Sequence, residues 1–477
     1  MNYNPLTAVW EVTMGCNMRC GHCGSSCEGP LPDELTTEEA LSLIDQIAGL
    51  GLKWITLSGG KPLTRKDLPL LIKELNSRSI AVNVISNGWL LDRKIAAELK
   101  ESGISTVAIS IDGTREIHDS IRKQGSFEQI LSAFKHLKKE KITTGSVTTI
   151  SKKNIAVLPE LRKMLIDMGV QSWQVQIGLP MGNFKNQSDW VISPQQVDDI
   201  IEFCYETSMH GKIKIFPADC IGYYTKKEMR IQQNSYMTSE ICRWDGCNAG
   251  VRSFGILHNG DILGCTSIRD KKYIEGNIKK KRLADIWNDP ERFAWRRNMS
   301  KKDLSGDCSI CTYGSNCLGG CPNTRLTMNG AIYSENLYCS YNVAMKKLKE
   351  SLKEKSDVKS LIAMAKQNLQ DNDFQTAAFS IDRALSFQPE NQEALDIKGF
   401  AEFMCGNYSQ SEKTNRIALK INPNNTYAMK GLGLALHKQG KSKQGLNYLE
   451  KAAKLADYAY RDILNDISVV KRELFSK

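Results

Sequence analysis

The sequence predicts an α/β protein in three parts: a partial (β/α)6 barrel of the TIM type, a cysteine-rich region and an all-α repeat region. Three observations support this division. Short apolar strands alternate with amphipathic helices through the first part of the chain, cysteines concentrate between residues 242 and 339, and a 34-residue period follows. A chain of 477 residues also exceeds the size of one ordinary domain.

The composition narrows the class of protein. With 41% hydrophobic residues the chain can bury large cores. Met1–Trp10 is neither basic nor strongly apolar, so we expect no secretion signal and a cytoplasmic location. In that setting fifteen cysteines favour metal ligation over disulfides. The sequence contains no run of eighteen apolar residues, so we expect no membrane span.

The charge of the chain bears on its partners. A net charge of +11 suggests an acidic partner, although a solvated basic surface is the simpler interpretation. The lysines are dispersed and not interleaved with aromatic residues, so nucleic acid is not an expected partner.

Six strands and the helices between them are predicted for the barrel. The predicted strands are Ala8–Val12, Trp54–Leu57, Ala81–Ile85, Thr106–Ile111, Thr144–Ile150 and Trp173–Ile177. The helical patterns include Thr37–Gly49, Leu68–Ser77, Lys94–Ser102 and Ser126–Lys139. Such alternation implies parallel strands joined by right-handed crossovers. Six units fit an open barrel better than a closed eightfold one.

A dense cysteine motif follows the first predicted strand. Cys16, Cys20 and Cys23 form a C-x3-C-x2-C loop, which lies at the catalytic face if the barrel is formed. Closely spaced thiolates suit zinc or an iron–sulfur cluster. A structural zinc ion would need a fourth ligand, which Cys27 could supply. A [4Fe–4S] cluster held by three cysteines would instead keep one iron open.

Polar or glycine residues also follow later strands. Ser58-Gly59-Gly60-Lys61-Pro62 follows the second strand, Ser86-Asn87-Gly88 the third, and Ser110-Ile111-Asp112-Gly113 the fourth, with Arg122 further on. Glycines allow a ligand to approach the backbone. Hydroxyl and carboxylate acceptors suit a diol, and a guanidinium suits a carboxylate.

The cysteine loop and these strand ends together resemble the radical S-adenosylmethionine (radical SAM) enzymes. The resemblance implies that SAM binds the open iron of a [4Fe–4S] cluster and is cleaved to a 5′-deoxyadenosyl radical, with electrons from a flavodoxin or ferredoxin. Lys61 stands where that family has glutamate. The residues implied to contact SAM are His22, Gly59, Gly60, Lys61, Pro62, Ser86, Asn87, Ser110, Asp112 and Arg122.

Eight cysteines mark the middle region. They are Cys242, Cys247, Cys265, Cys308, Cys311, Cys317, Cys321 and Cys339. A hairpin turn is predicted at Gly260-Asp261, just before Cys265. Eight thiols could fill two closed clusters or two four-cysteine zinc sites.

The spacing of these cysteines resembles the SPASM domain, a carrier of auxiliary [4Fe–4S] clusters. Resemblance to anaerobic sulfatase-maturating enzymes divides the cysteines into two sets. The first auxiliary set is Cys242, Cys247, Cys265 and Cys321, and the second auxiliary set is Cys308, Cys311, Cys317 and Cys339. Without Cys242 the first cluster would keep an open iron. Thr266 replaces the acidic residue that those relatives carry after the hairpin cysteine, which argues against sulfatase maturation.

A 34-residue period marks the C-terminal region. Pro389 and Pro423 are 34 residues apart, as are Gly399 and Gly433. The period and the small residues resemble tetratricopeptide repeats. We expect about three repeats, a charged linker or helix at Lys346–Ser356 and a capping helix at Tyr458–Phe475. Such arrays offer a groove for peptides, and a scaffolding or dimerisation surface is the alternative.

The predicted domains are a radical SAM barrel at 1–205, a SPASM domain at 206–350 and tetratricopeptide-like repeats at 351–477. Together they imply an enzyme with three [4Fe–4S] clusters that modifies a ribosomally made peptide or a protein, through a thioether, a carbon–carbon cross-link or an oxidation. The repeats would then hold the substrate, for example by an acidic leader. The rival hypotheses are a radical enzyme acting on a small metabolite and a non-enzymatic zinc scaffold. No catalytic acid or base is assigned.

Overall fold

A computed structural model describes residues 3–218, 220–238, 246–457 and 461–475. The chain divides into two compact units, residues 1–343 and residues 344–477, which we call the N-terminal unit and the helical unit. Among the helices of the described ranges, none combines the length and the apolar character that a membrane span requires. The division into three domains remains a prediction.

One sheet of ten strands organises the N-terminal unit. Its strands are β1 (Thr7–Thr13), β2 (Trp54–Gly59), β3 (Ala81–Ser86), β4 (Thr106–Ser110), β5 (Thr143–Ile150), β6 (Ser172–Ile177), β7 (Lys214–Pro217), β8 (Ser253–Ile256), β9 (Asp261–Leu263) and β10 (Ile274–Asn277). The strand order is β10-β9-β8-β1-β2-β3-β4-β5-β6-β7, so β10 and β7 are the edges. Strands β8 and β1–β7 are parallel, whereas β9 pairs antiparallel with both β8 and β10.

Helices separate the parallel strands. They are α1 (Thr37–Gly49), α2 (Leu68–Ser77), α3 (Arg93–Glu101), α4 (Arg115–Ile121), α5 (Ser126–Lys139), α6 (Leu158–Asp167), α7 (Gln196–His210) and α8 (Lys226–Tyr236). Five short helices follow the hairpin: α9 (Leu283–Asn288), α10 (Ala294–Arg297), α11 (Gly306–Ile310), α12 (Gly314–Cys317) and α13 (Pro322–Asn329). Helix α1 shows why such segments are helical: Thr36 and Glu39 form a capping box, and apolar residues three and four apart are buried.

The structure confirms the predicted α/β class and its parallel sheet, and it adds strands that the sequence pattern did not predict. Strand β7 continues the sheet beyond β6, and β8 pairs in parallel with β1. Both strands have only four residues, too few for a clear period-two pattern. The predicted hairpin after β8 is present as the β8–β9 pair. The cysteine-rich region thus extends the sheet of the barrel.

The helical unit consists of consecutive packed helices. After α14 (Ser340–Lys353), which crosses the boundary between the units, come α15 (Val358–Gln370), α16 (Phe374–Phe387), α17 (Gln392–Met404), α18 (Tyr408–Ile421), α19 (Thr426–Lys438), α20 (Ser442–Leu455) and α21 (Arg461–Phe475). Helix pairs α15–α16, α17–α18 and α19–α20 pack against each other.

Small residues permit this close packing. A Cβ atom on Gly433 of α19 would lie 2.8 Å from the Gly445 carbonyl oxygen of α20. Ser411 on α18 donates to the Gly399 carbonyl on α17 at 2.8 Å. The C-terminal region is therefore all-α, while its assignment to the tetratricopeptide class remains a prediction. Residues 458–460 of the predicted capping helix lie outside the described residues, and α21 covers the rest.

Candidate functional site

The cysteine loop is held where β1 and β2 end. The Cys16 amide donates to the Glu28 carbonyl at 2.7 Å, and the Lys61 amide donates to the Gly15 carbonyl at 2.7 Å. A Cβ atom on Gly60 would lie 2.1 Å from the Gly15 oxygen, and one on Gly59 would lie 2.2 Å from the Thr13 oxygen. The paired glycines are therefore required for close approach of β2 to the cysteine loop. Pro62 starts a short 3-10 helix directly after them.

A fourth thiol adjoins the three cysteines of the loop. Cys27 is buried and hydrogen-bonds to Cys23. This bond is the main reason why the pKa of Cys23 is lowered to about 4 and that of Cys27 is raised. Cys27 therefore lies within hydrogen-bond distance of Cys23, beside the three cysteines of the loop.

An ion-pair network links the cysteine loop to the end of β4. His22 Nε2 lies 2.9 Å from Asp112 Oδ2, and Arg122 Nε lies 2.5 Å from the same oxygen. The other carboxylate oxygen accepts the Thr149 amide at 2.9 Å. The side chains of His22, Asp112 and Arg122 are all buried. Three separately predicted SAM contacts thus form one network.

Burial alone would raise the pKa of Asp112, but the charges of Arg122 and His22 lower that pKa well below its ordinary range. Asp112 is consequently ionised at neutral pH, and the Arg122 guanidinium is already paired with it. Because the Arg122 fork has further N–H donors, it can also receive a carboxylate from a ligand.

The remaining predicted SAM contacts lie around the same loop. Asn87 Nδ2 donates to Asn17 Oδ1 of the loop at 2.8 Å. Ser86 accepts the Gly88 amide at 3.1 Å, and Ser110 is buried at the end of β4. Burial and the Arg122 charge lower the pKa of Lys61, whereas the thiolates of the loop raise it. A lysine therefore stands near the cysteines where the resembling family has glutamate.

A partly buried bridge that the sequence did not predict joins the cysteine loop to the hairpin region. Arg269 Nη1 donates to Glu11 Oε2 at 2.9 Å, and Arg269 Nη2 donates to both Glu11 Oε1 and Ser25 Oγ. Glu11 lies on β1, Ser25 lies two residues after Cys23, and Arg269 lies four residues after Cys265. No local pattern signals this contact, because its partners are 258 residues apart.

The second auxiliary set lines one cavity. Cys308, Cys311, Cys317 and Cys339 all border one small cavity. Tyr224, Tyr313 and Tyr341 line it too; the first two rings stack at 4.1 Å and the third meets Tyr313 edge-on at 5.1 Å. The structure therefore brings together the four thiols that the sequence grouped.

N–H groups point at the sulfur atoms of this cavity. The Asn336 amide lies 3.4 Å from Cys308 Sγ, and Asn342 Nδ2 lies 3.8 Å from it. Backbone N–H groups of Gly320 and Asn342 also bond Cys317 and Cys339. Four thiols with N–H donors and an aromatic shell are the chemistry of an iron–sulfur site. Across the described ranges, no three His, Cys, Asp or Glu side chains are grouped so as to hold a single metal ion.

The first auxiliary set comes from three separate segments. Cys247 precedes β8 and its sulfur accepts the Ala249 amide at 3.5 Å. Cys265 follows β9 and packs near Ile268 and Tyr273. The Cys321 amide donates to the Tyr223 hydroxyl at 2.8 Å. Cys242 lies outside the described residues.

Family models match the two regions that contain these sites. Residues 10–165 match the radical SAM superfamily, and residues 247–312 match the SPASM iron–sulfur cluster-binding domain. These domains bind [4Fe–4S] clusters and SAM. The match of the second domain includes Cys247, Cys265, Cys308 and Cys311.

Individual relatives span most of the chain. An AdoMet-dependent heme synthase of Methanosarcina barkeri is 30% identical over 357 residues, which are 72% of this chain and 99% of that protein. A mycofactocin maturase of Mycolicibacterium smegmatis is 23% identical over 66% of this chain and 78% of its own. The fold is similar to that of Streptococcus suis SuiB bound to the precursor peptide SuiA, with a TM-score of 0.56, 16% identity and coverage of 70% and 75%.

The fold and the cysteine sites thus define an iron–sulfur enzyme. The chain belongs to the radical SAM superfamily and carries a SPASM domain. Its cofactors are accordingly SAM and [4Fe–4S] clusters.

Proposed function

We propose that this enzyme holds three [4Fe–4S] clusters and uses SAM to modify a peptide or protein. Cys16, Cys20 and Cys23 hold the SAM-binding cluster, and the two auxiliary sets hold the others. The cavity lined by all four cysteines of the second auxiliary set supports this assignment. When bound, SAM and its cluster supply a 5′-deoxyadenosyl radical that can abstract hydrogen from an unreactive carbon.

The residues of the chain position SAM. Arg122, fixed by Asp112, keeps free N–H donors for the SAM carboxylate, and His22 ties the same network to the cysteine loop. Asn87 supports the loop from β3 through Asn17. Arg269 connects the loop to the segment that carries Cys265.

The helical unit is the observation that carries the peptide assignment. More than a quarter of this chain lies outside its match to the Methanosarcina heme synthase, although that match covers nearly all of the relative. An array of paired helices offers a surface for an extended peptide. The net charge of +11 suits an acidic leader segment. The similar fold of SuiB, which is bound to the precursor peptide SuiA, supports a peptide substrate.

Truncation tests this assignment. The full chain and a variant ending after residue 355 are compared under anaerobic conditions with peptides encoded by short reading frames beside the gene. Mass spectrometry follows the peptide, and 5′-deoxyadenosine reports SAM cleavage. We expect the truncated protein to cleave SAM but to leave the peptide unmodified. Equal modification by both proteins would contradict a role of the helical unit in substrate binding.

A tetrapyrrole is the second candidate substrate. The observation in its favour is the 30% identity to a heme synthase along 99% of that protein. In this case the helical unit would serve assembly. Incubation with iron porphyrins, followed by absorption and mass spectrometry, distinguishes the candidates. A converted porphyrin, with equal rates for the full and truncated chains, would favour the tetrapyrrole.

A further inference from the structure

An arginine without an acidic partner lies beside the second auxiliary set. Arg325 on α13 is only 1% exposed. Its Nη2 donates to the Leu318 carbonyl at 3.0 Å and lies 4.0 Å from Met299 Sδ. Within the described ranges, Nε and Nη1 have no hydrogen-bond partner and the guanidinium forms no ion pair. A buried cation without a counterion is costly, so an anion missing from the protein chain is expected next to it.

The unpartnered nitrogens of Arg325 lie next to Gly319, in the segment between Cys317 of the second auxiliary set and Cys321 of the first. A Cβ atom on Gly319 would lie 2.8 Å from Arg325 Nη1 and 3.2 Å from Nε. Gly319 itself lines the four-cysteine cavity. The Asn336 side chain bonds the Gly319 carbonyl at 3.2 Å, which fixes this loop. Only the backbone of Gly319, which has no side chain, therefore lies between this part of the guanidinium and the cavity.

Cysteine side chains and a tyrosine lie close enough to act on this cation. Burial lowers the pKa of Arg325, while Cys308, Tyr223, Cys321 and Cys317 oppose that shift. Two of these three cysteines belong to the second auxiliary set. Because four thiolates give a cubane cluster a net negative charge, such a cluster is a suitable counterion for Arg325.

We propose that Arg325 is the countercharge of the second auxiliary cluster and raises its reduction potential. Reduction adds a negative charge, and a fixed cation in a water-poor site stabilises the reduced form more than the oxidised form. Tyr224 and Tyr341 are 7% and 5% exposed, so the cavity is shielded from water. This inference rests on the cysteine assignment proposed above.

Potentiometric titration followed by electron paramagnetic resonance tests the proposal on the full-length protein with its clusters. The signal that changes on addition of SAM is the internal reference. In Arg325→Met and Arg325→Gln, the midpoint potential of one auxiliary signal should shift to a more negative value while the reference stays unchanged. Arg325→Lys should retain most of the wild-type potential, because it keeps the charge.

Arg162→Met is the matched control. Like the test variants it removes one arginine. Arg162 is partly buried, bonds Thr207 and lies over Phe203, and neither of these two residues is a predicted cluster ligand. The control variant should leave all potentials unchanged.

Three results would overturn the proposal. The first is an unchanged auxiliary potential in Arg325→Met with wild-type iron content. The second is an equal shift in Arg325→Lys and Arg325→Met, which would indicate packing instead of charge. If Arg325→Met loses iron, Arg325→Lys provides the test: retention of both the cluster and its potential supports the countercharge role, and a shifted potential contradicts it. The third, a wild-type protein with too little iron for the second auxiliary cluster, would overturn the cysteine assignment itself.

Discussion

The cysteine loop after β1 and the cavity of the second auxiliary set differ in how charge is balanced around them. Beside the loop, Asp112 pairs with both His22 and Arg122. Beside the cavity, Arg325 has no carboxylate partner among the described residues, and N–H groups point at the sulfur of Cys308. The first site is organised to grip a ligand with charges of its own, and the second is organised to receive an anion. This contrast suggests different roles for clusters of the same type.

Removal of the thiols should have the largest effect and should separate the two sites. The variant Cys16→Ala/Cys20→Ala/Cys23→Ala should lose SAM cleavage and about four irons per chain. Cys308→Ala/Cys317→Ala should also lose about four irons but retain SAM cleavage without substrate, measured as 5′-deoxyadenosine. Cys204→Ala, a buried cysteine of α7, should keep the wild-type iron content. Full loss of SAM cleavage in the Cys308/Cys317 variant would remove the functional distinction.

Breaking the ion-pair network should be the next largest effect. Asp112→Asn leaves Arg122 and His22 buried without their carboxylate and should lower the free energy of unfolding by about 3 kcal/mol. Chemical denaturation with fluorescence detection measures the change. Glu98→Gln, which breaks an exposed pair with Lys94, should change it by less than about 0.5 kcal/mol. Similar stabilities for the two variants would show that the network is not an important stabilising feature.

Glu228, which lies near the second auxiliary set, and Asp112, which lies beside the cysteine loop, should contribute to stability with opposite dependence on pH. Burial raises the pKa of Glu228 from 4.5 to about 8, although bonds from Ser340, next to Cys339, and Thr225 oppose the shift. The unfolded state releases the Glu228 proton near pH 4.5, whereas the folded state keeps it up to about pH 8. The free energy of unfolding should therefore fall as pH rises from 4.5 to about 8. The slope is about 1.4 kcal/mol per pH unit.

Asp112 acts in the other direction, since its pKa is lowered: its contribution is complete above its ordinary pKa of 3.8 and is lost as pH falls below it.

Glu228→Gln should flatten the fall in stability between pH 6 and pH 8 in denaturation experiments. A variant with the same slope as the wild type would show that Glu228 does not hold its proton at neutral pH.

Removal of a single hydrogen bond to the second auxiliary set, from Asn342, should have the smallest effect, a small change in the auxiliary midpoint potential. Asn342→Leu removes the side-chain N–H that faces Cys308 at 3.8 Å. The auxiliary midpoint potential should shift in the same direction as in Arg325→Met but by less, because a dipole is weaker than a full charge. Asn342→Asp, of nearly the same shape, should shift it further by adding a negative charge. A more positive potential in either variant would contradict this electrostatic account.

Sequence reasoning succeeded where function depends on local spacing. The order of the later cysteines resembles that of sulfatase-maturating enzymes, and this resemblance grouped Cys308, Cys311, Cys317 and Cys339, which the fold brings to one cavity. Asp112, at the end of a predicted strand, and Arg122, ten residues further on, were indicated by the resemblance to radical SAM enzymes, and the structure pairs the two side chains.

It failed where function depends on contacts between distant segments. Glu11 and Arg269 have no local pattern, and their pairing requires β8 to lie beside β1, which the sequence did not indicate. Arg325 was not singled out from the sequence. Its significance comes from full burial without a carboxylate partner in the described chain, a property that exists only after folding.

Iron and sulfide content of protein purified without oxygen tests the central claim most directly. Three four-iron clusters predict about twelve irons and twelve sulfides per chain, with a brown charge-transfer absorption band. About eight irons would contradict one auxiliary site and direct attention to Cys242 and its set. Zinc in place of iron would contradict the proposed radical chemistry altogether.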